Sequence, residues 1–223
     1  MTFNIAVDGP AGAGKSTIAK AVAARLGFVY VDTGAMYRTI AVYLLQQGID
    51  CEDEESLNRA LREIDIRMTY EDGKQQMILN GENVTGLLRT EEVSHMASVS
   101  SAKPQVRARL TDLQQEIAQR ENVIMDGRDI GTVILPHAQL KIFLTASPHA
   151  RALRRYLEMK EKGEDVSLEA IEADMKERDE RDSSRAASPL VQAPDAILVD
   201  SSDMTIEEVT DTIAKLARER MEY

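Results

Sequence analysis

The chain has 223 residues, 43% of them apolar, enough to bury a core, so it is expected to be a globular protein and not a disordered tail. Its formal net charge of −11 argues against a general electrostatic grip on nucleic acid or an anionic membrane, so any anion site has to be local. The single cysteine, Cys51, excludes an intrachain disulfide and is expected to be a small apolar filler. No signal-like core opens the chain and no apolar run nears the ~18 residues of a spanning helix, which predicts a cytoplasmic protein. Without a secretory route, the Asn83-Val84-Thr85 sequon is read as chance.

The first predicted strand, NIAV (4–7), runs into GPAGAGKST (9–17), which matches G-x-x-x-x-G-K-[ST] through Gly9, Gly14, Lys15 and Ser16. A helix along Ile18, Val22 and Leu26 follows and stops at Gly27. The loop Gly9, Pro10, Ala11, Gly12, Ala13, Gly14 is expected to fold its N–H groups around phosphate oxygens at a helix N-terminus. Lys15 should reach the β- and γ-phosphates, Ser16 should ligate Mg²⁺, and Thr17 can add a hydroxyl near the α-phosphate.

A second strand, FVYV (28–31), leads into DTGAMYR (32–38). From about 64 to 86, alternating segments surround Asp72-Gly73 and Asn80-Gly81, the signature of a small antiparallel meander inserted on the core. A helical stripe through Val106, Leu110, Leu113 and Ile117 precedes the strand VIM (123–125), which ends in DGRDIGT (126–132). The strand KIFL (141–144) is followed by a helix opened by Ser147-Pro148 and carrying Arg151, Arg154 and Arg155. The polar stretch EMKEKGEDVS (158–167) joins two helices and fits a mobile lid or a plain helix-helix loop. The strand AILV (196–199) and a helix along Ile206, Val209, Ile213 and Leu216, with Thr205 and Glu208 in capping-box spacing, close the chain. Strands without alternation predict burial on both faces in a parallel sheet, and strand and helix in turn predict a doubly wound α/β core.

A magnesium-ordering acid is expected at a strand end, where Asp32, Asp126 and Asp200 compete. Asp126 is favoured because Gly127, Arg128 and Asp129 continue it at the C-terminal edge of the sheet, where open α/β sheets bind ligands. A loop of this kind serves GTP switches, ATP-driven machines and small-molecule kinases. The chain has no NKxD-like guanine reader and no motor-sized body, which favours a small-molecule kinase.

What accepts the phosphate is suggested by ERDERDSSR (177–185). At three- and four-residue spacing, Leu168, Ile171, Met175, Arg178, Asp182 and Arg185 form one inward stripe that turns from apolar to charged. Arg178, Arg181, Asp182 and Arg185 fall in roughly a 100° arc, leaving Glu177, Asp179 and Glu180 as solvated charges. Clustered arginines repel one another unless an anion lies between them. Arg38, Arg128, Arg151, Arg154 and Arg155 add to the supply of forked donors suited to phosphate. An acceptor that is already a phosphate needs no general base, and His95, His137 and His149 sit in no motif. These features favour a nucleotide acceptor over a helix that simply leaves the core with its ion pairs solvated, with a P-loop regulatory protein that binds without turnover as the reading from another class.

GPAGAGKST, DTGAMYR, KPQVR, DGRDIGT and ERDERDSSRAASPL occur in order along nearly the whole chain, which closely resembles bacterial cytidylate kinases. The 64–86 meander is similar to that family's enlarged monophosphate-binding insertion. The resemblance implies a P-loop kinase fold, with a five-stranded parallel sheet flanked by helices. It also implies core segments at 1–36, 105–149 and 168–223, a monophosphate-binding region at 37–104 and a lid at 150–167. It implies ATP and Mg²⁺ as cofactors, CMP or dCMP as acceptor with UMP poorer, free nucleotides as the only partners, and a monomer. By the same resemblance Thr33, Arg38, Arg128 and Arg185 bind the acceptor phosphate, Arg178 and Asp182 the sugar hydroxyls, and Ser98, Arg107 and Asp129 the cytosine. Lys15, Asp126, Arg128 and Arg185 act in the transfer itself, and Arg154 is expected on the ATP side. Another monophosphate kinase, for UMP or AMP, is the nearest alternative. The loop ends Lys15-Ser16-Thr17 where many monophosphate kinases have Lys-Gly-Thr, so the Mg²⁺ role of Ser16 follows the general motif more than the family.

Overall fold

The computed structural model describes residues 2–222. In chain order the elements are β1 (Asn4–Asp8), α1 (Lys15–Leu26), β2 (Val29–Asp32), α2 (Thr33–Gln47), α3 (Glu54–Glu63), β3 (Ile66–Glu71), β4 (Lys74–Leu79), β5 (Glu82–Asn83), α4 (Glu91–Ser100), α5 (Pro104–Arg120), β6 (Val123–Gly127), β7 (Leu140–Thr145), α6 (Pro148–Glu161), α7 (Leu168–Ser184), β8 (Ile197–Asp200) and α8 (Ile206–Met221). They form two compact units, one comprising residues up to Tyr30 and from Arg120 onward, the other Val31–Gln119.

The first unit is built on the expected sheet, in the order β2-β6-β1-β7-β8. The central strand β1 pairs in parallel with β6 on one side and β7 on the other, and β7 pairs in parallel with β8. Connections therefore depart to opposite sides around β1, which opens a crevice at its C-terminal end. Ile5, Val7, Ile124, Ile142 and Leu144 bury the sheet against Ile18 and Val22 of α1 and Val209 and Ile213 of α8. At the start of α8, Thr205 and Glu208 make the predicted reciprocal capping box. One expectation for this sheet needs correcting: β8 is not buried on both faces, since Leu198 is 56% exposed while Val199 is buried. It is the edge strand, and its last residues alternate.

The second unit contains the predicted meander, β3-β4-β5, antiparallel throughout. Both of its turns place two consecutive residues at positive φ: Asp72 at 49° with Gly73 at 71°, and Asn80 at 49° with Gly81 at 89°. Two-residue hairpins need that geometry to match the twist of their strands. Met36, Ile40 and Leu44 of α2 and Met77 of β4 are fully buried. On α5 the buried face runs through Val106, Arg107, Leu110, Gln114 and Ala118. The predicted stripe gave its lower half to Leu113 and Ile117, which are only half-buried. A strict i, i+4 row from Val106 passes through Gln114 and Ala118, one residue beyond. No helix among the described residues is long and apolar enough to cross a membrane.

Candidate functional site

The phosphate loop leaves β1 through Gly9, where a Cβ would lie 1.9 Å from the carbonyl oxygen of Leu144. Only glycine lets the chain pass β7 so closely. Gly14, at φ 85°, stands at the N-cap of α1 and provides no side-chain cap, so the first N–H groups of the helix remain open to an anion from outside. Lys15 is buried, and its Nζ donates to the Pro10 carbonyl oxygen at 2.7 Å. Burial pushes its pKa well below the usual lysine value; Arg128 and Arg178 push the same way, against Asp126 and Asp8. A phosphate in the loop would relieve both effects, because an adjacent negative charge favours the ammonium form.

Asp126, at the end of β6, is the strand-end acid that meets the loop. Ser16 Oγ donates to one of its carboxylate oxygens and Tyr30 Oη to the other, each at 2.8 Å. Its two competitors are occupied elsewhere. Asp32 caps α2 by accepting from the Ala35 N–H, and Asp200 accepts from the N–H and Oγ of Ser202. A hydroxyl beside a carboxylate is an oxygen donor set that suits Mg²⁺. The residues present therefore fit the ion that the motif implies.

Beyond Asp126 the chain is held by Asp8, which accepts from the N–H groups of Ile130 and Gly131 at 2.8 and 2.7 Å. Burial pushes the Asp8 carboxyl up to about 6 in spite of those bonds. Residues Ile130–Ile134 form one π-helical turn directly after the buried Asp129. Asp8 also ends an apolar run, as the three weighed acids do, and that pattern could have marked it from the sequence.

Helix α7 brings its inward residues to this edge. Arg128 Nε donates to an Asp182 carboxylate oxygen at 2.8 Å, and Arg185 Nη1 lies 3.8 Å from the other. Burial would raise the Asp182 carboxyl, but Arg128, with Arg185 and Arg178, holds it below the usual carboxylate range. Three features differ from expectation. Arg185 lies just past the helix in extended geometry, with Nε donating to the Ser188 carbonyl oxygen at 2.7 Å. Arg181 is exposed and pairs with Glu177 at 2.7 Å across one turn, so it does not share the inward face. Asp179, expected to be solvated, receives Arg151 Nη2 at 2.6 Å.

Arg151 is itself buried, donating also to the carbonyl oxygens of Ala146 and Ala11, each at 2.9 Å. It braces the phosphate loop from behind. Arg154 is turned to the Oγ and carbonyl oxygen of Ser201, and Arg155 pairs with Glu158 at the surface.

The second unit carries the remaining candidates. Arg38 Nη2 lies 3.3 and 3.1 Å from the two carboxylate oxygens of Asp32. Its guanidinium crosses Gly34, where a Cβ would come within 3.0 Å of Nη1. The Arg38 Nε is buried and finds no acceptor among the described residues, a state that buried donors seldom keep. Thr33 is buried at the start of α2. Arg107 is buried, donates to the Ser101 carbonyl oxygen at 3.1 Å and lies 5.4 Å from the Tyr37 ring centre. Ser98 lies on α4, where its carbonyl oxygen accepts from Ser101 Oγ at 3.0 Å.

A sequence model of the family described as cytidylate kinase matches residues 5–219. The cytidylate kinase of Ligilactobacillus salivarius is 49% identical over 218 residues, covering 98% of this chain and 97% of that protein. That of Carboxydothermus hydrogenoformans is 50% identical over 214 residues, covering 96% and 95%. This chain belongs to the cytidylate kinase family. Among solved structures, an uncharacterized protein from Eubacterium ventriosum superimposes with a TM-score of 0.54 at 15% identity, covering 97% of this chain and 99% of that one, a likeness of fold.

In this member of the cytidylate kinase family, the first unit gathers Lys15, Ser16, Asp126, Arg128, Arg178, Asp182 and Arg185 around one strand edge. Thr33, Arg38, Ser98 and Arg107 belong to the second unit. Thr17 is exposed on α1. Neither Tyr30 nor Asp8 was expected in the site, and Arg151, expected among the donors suited to phosphate, is instead held by Ala146, Ala11 and Asp179. Tyr30 and Arg151 act through partners 96 and 140 residues away, and no local motif announces such contacts.

Proposed function

We propose that the chain transfers the γ-phosphoryl group of Mg-ATP to CMP or dCMP, giving CDP or dCDP and ADP. Beyond family membership, the supporting observation is the buried ammonium of Lys15 at the uncapped start of α1. Burial, and after it Arg128 and Arg178, depress its pKa against Asp126 and Asp8, and a phosphate beside it would favour its charged form.

The roles follow from geometry and resemblance together. The open end of α1 and Lys15 would hold the β- and γ-phosphates. Ser16 and Asp126 would hold Mg²⁺, which would supply positive charge to offset that of the phosphates. Thr33, Arg38, Arg128 and Arg185 are assigned to the acceptor phosphate, and Arg178 and Asp182 to its sugar. With Asp182 kept anionic by its arginines, it can accept from a ribose hydroxyl. Because the acceptor is an anion already, positioning and charge stabilisation carry the transfer and no general base is required.

Ser98, Arg107 and Asp129 are assigned to cytosine. A buried carboxylate accepts from the cytosine N4 amino group, whereas uracil would turn its O4 acceptor towards it and leave both unpaired. CMP is therefore preferred to UMP. The enzyme is read as a cytoplasmic monomer acting on free nucleotides and not on nucleic acid or membrane, in keeping with its net charge of −11. Release of ADP from Mg-ATP should depend on added CMP. ATP binding with no CMP-dependent ADP release would instead favour a regulatory nucleotide-binding protein.

A further inference from the structure

We infer that Gln75, on the inserted antiparallel sheet, is a positioning residue for the acceptor phosphate, acting through Asp32 on Arg38; the inference rests on the assignment of Arg38 to that phosphate. Gln75 lies on β4, 43 residues along the chain from Asp32. Its Oε1 accepts from the Asp32 N–H at 2.8 Å and its Nε2 donates to the Asp32 carbonyl oxygen at 3.2 Å. One amide group thus grips both backbone polar groups of a single residue, as a neighbouring strand would. Asp32 ends β2, which is an edge of the parallel sheet, so Gln75 also occupies donor and acceptor positions that an edge leaves open.

Holding the N–H and the carbonyl together restrains rotation on either side of the Asp32 α-carbon. Two things depend on that α-carbon. The Asp32 carboxylate accepts from the Ala35 N–H at 2.9 Å and so sets the first turn of α2. The same carboxylate holds Arg38 Nη2 and leaves the buried Arg38 Nε as a donor with no partner among the described residues. The inserted sheet thereby gains a role that requires no contact of its own with substrate. It fixes the residue that aims the arginine, and Nε2 of Gln75 is itself steadied by Met77 Sδ at 3.2 Å.

Steady-state kinetics of Gln75→Leu, Gln75→Asn and Arg38→Lys, varying CMP and ATP separately, test this. Leucine removes both hydrogen bonds at similar size, and asparagine keeps the amide but falls one methylene short, so the second variant carries the test if the first folds poorly. Both Gln75 variants should raise the KM for CMP about 5-fold, the scale of one or two net hydrogen bonds, with kcat and the KM for ATP nearly unchanged. Arg38→Lys should raise the KM for CMP by more. A purely structural role would shift all three parameters together, and that result would overturn the inference. An unmoved KM for CMP in both Gln75 variants, with a raised one in Arg38→Lys, would overturn it while leaving the site intact. An unmoved KM in all three would remove Arg38 from the site, and the role of Gln75 with it.

Discussion

Helices α1 and α2 both leave the C-terminal end of a strand in the same parallel sheet, and their N-termini are finished in opposite ways. At α2 the Asp32 carboxylate accepts from the Ala35 N–H, so the positive end of the helix already holds an anion supplied by the chain. Gly14 at α1 supplies none. Side chains also cap α3, α4, α6, α7 and α8, through Asp53, Thr90, Ser147, Ser167 and Thr205. The open end of α1 is therefore an exception in a chain that caps readily. On the proposed function, the anion that α1 lacks would come from the nucleotide, and Lys15, whose Nζ donates to the Pro10 carbonyl oxygen, lies beside that open end.

The sharpest way to break the contrast is to give α1 the cap that α2 has. Gly14→Asp puts a carboxylate where phosphate should lie. A Cβ at Gly14 meets nothing within 4 Å, so the fold should survive at a cost of roughly 1–2 kcal/mol for the left-handed backbone. ATP binding measured by calorimetry should weaken by at least about 100-fold, because two like charges compete for the same donors.

Next in size is Arg185→Ala, which should cut CMP-dependent turnover on the order of 100-fold while sparing ATP binding; unchanged kinetics would remove Arg185 from the site. At α2, Asp32→Asn keeps an acceptor for the Ala35 N–H but loses the charge facing Arg38, and should raise the KM for CMP about 5-fold. Asp32→Ala should do the same and also lose about 1 kcal/mol of stability with the cap. Denaturant titration then separates aim from cap.

A pH dependence of stability is expected at Asp8 as well. Its folded pKa of about 6 lies above the ordinary aspartate value of 3.8. Between those values the native state keeps a proton that the unfolded state releases, so this group's contribution to stability falls as pH rises from about 4 to 6, by on the order of 2–3 kcal/mol. Asp8→Asn should lack that decline. Equal slopes for wild type and variant across that window would place Asp8 outside the titration.

Much of the fold was legible because it is written in local pattern. The 9–17 loop, the turns at Asp72-Gly73 and Asn80-Gly81 and the capping box at Thr205 each depend on residues within a few positions of one another. The inward row Met175, Arg178, Asp182 on α7 was legible for the same reason. What escaped depends on partners far along the chain. Asp179 looked solvated until Arg151 reached it from α6, and Gln75 carried no signal at all until Asp32 lay beside it. Arg181 failed differently: at 100° per residue it borders the inward arc, and a Glu177 one turn away was enough to hold it at the surface. Arg185 was placed by extending a helix that ends one residue before it.

The central claim is that this site joins Mg-ATP to a cytidine monophosphate. ADP release in the presence of Mg-ATP, compared across CMP, dCMP, UMP, AMP, GMP and shikimate at equal concentration, tests it most directly. The account predicts the highest kcat/KM for CMP or dCMP, a lower value for UMP, and little turnover of AMP, GMP or shikimate. Preferential turnover of AMP or shikimate would contradict it.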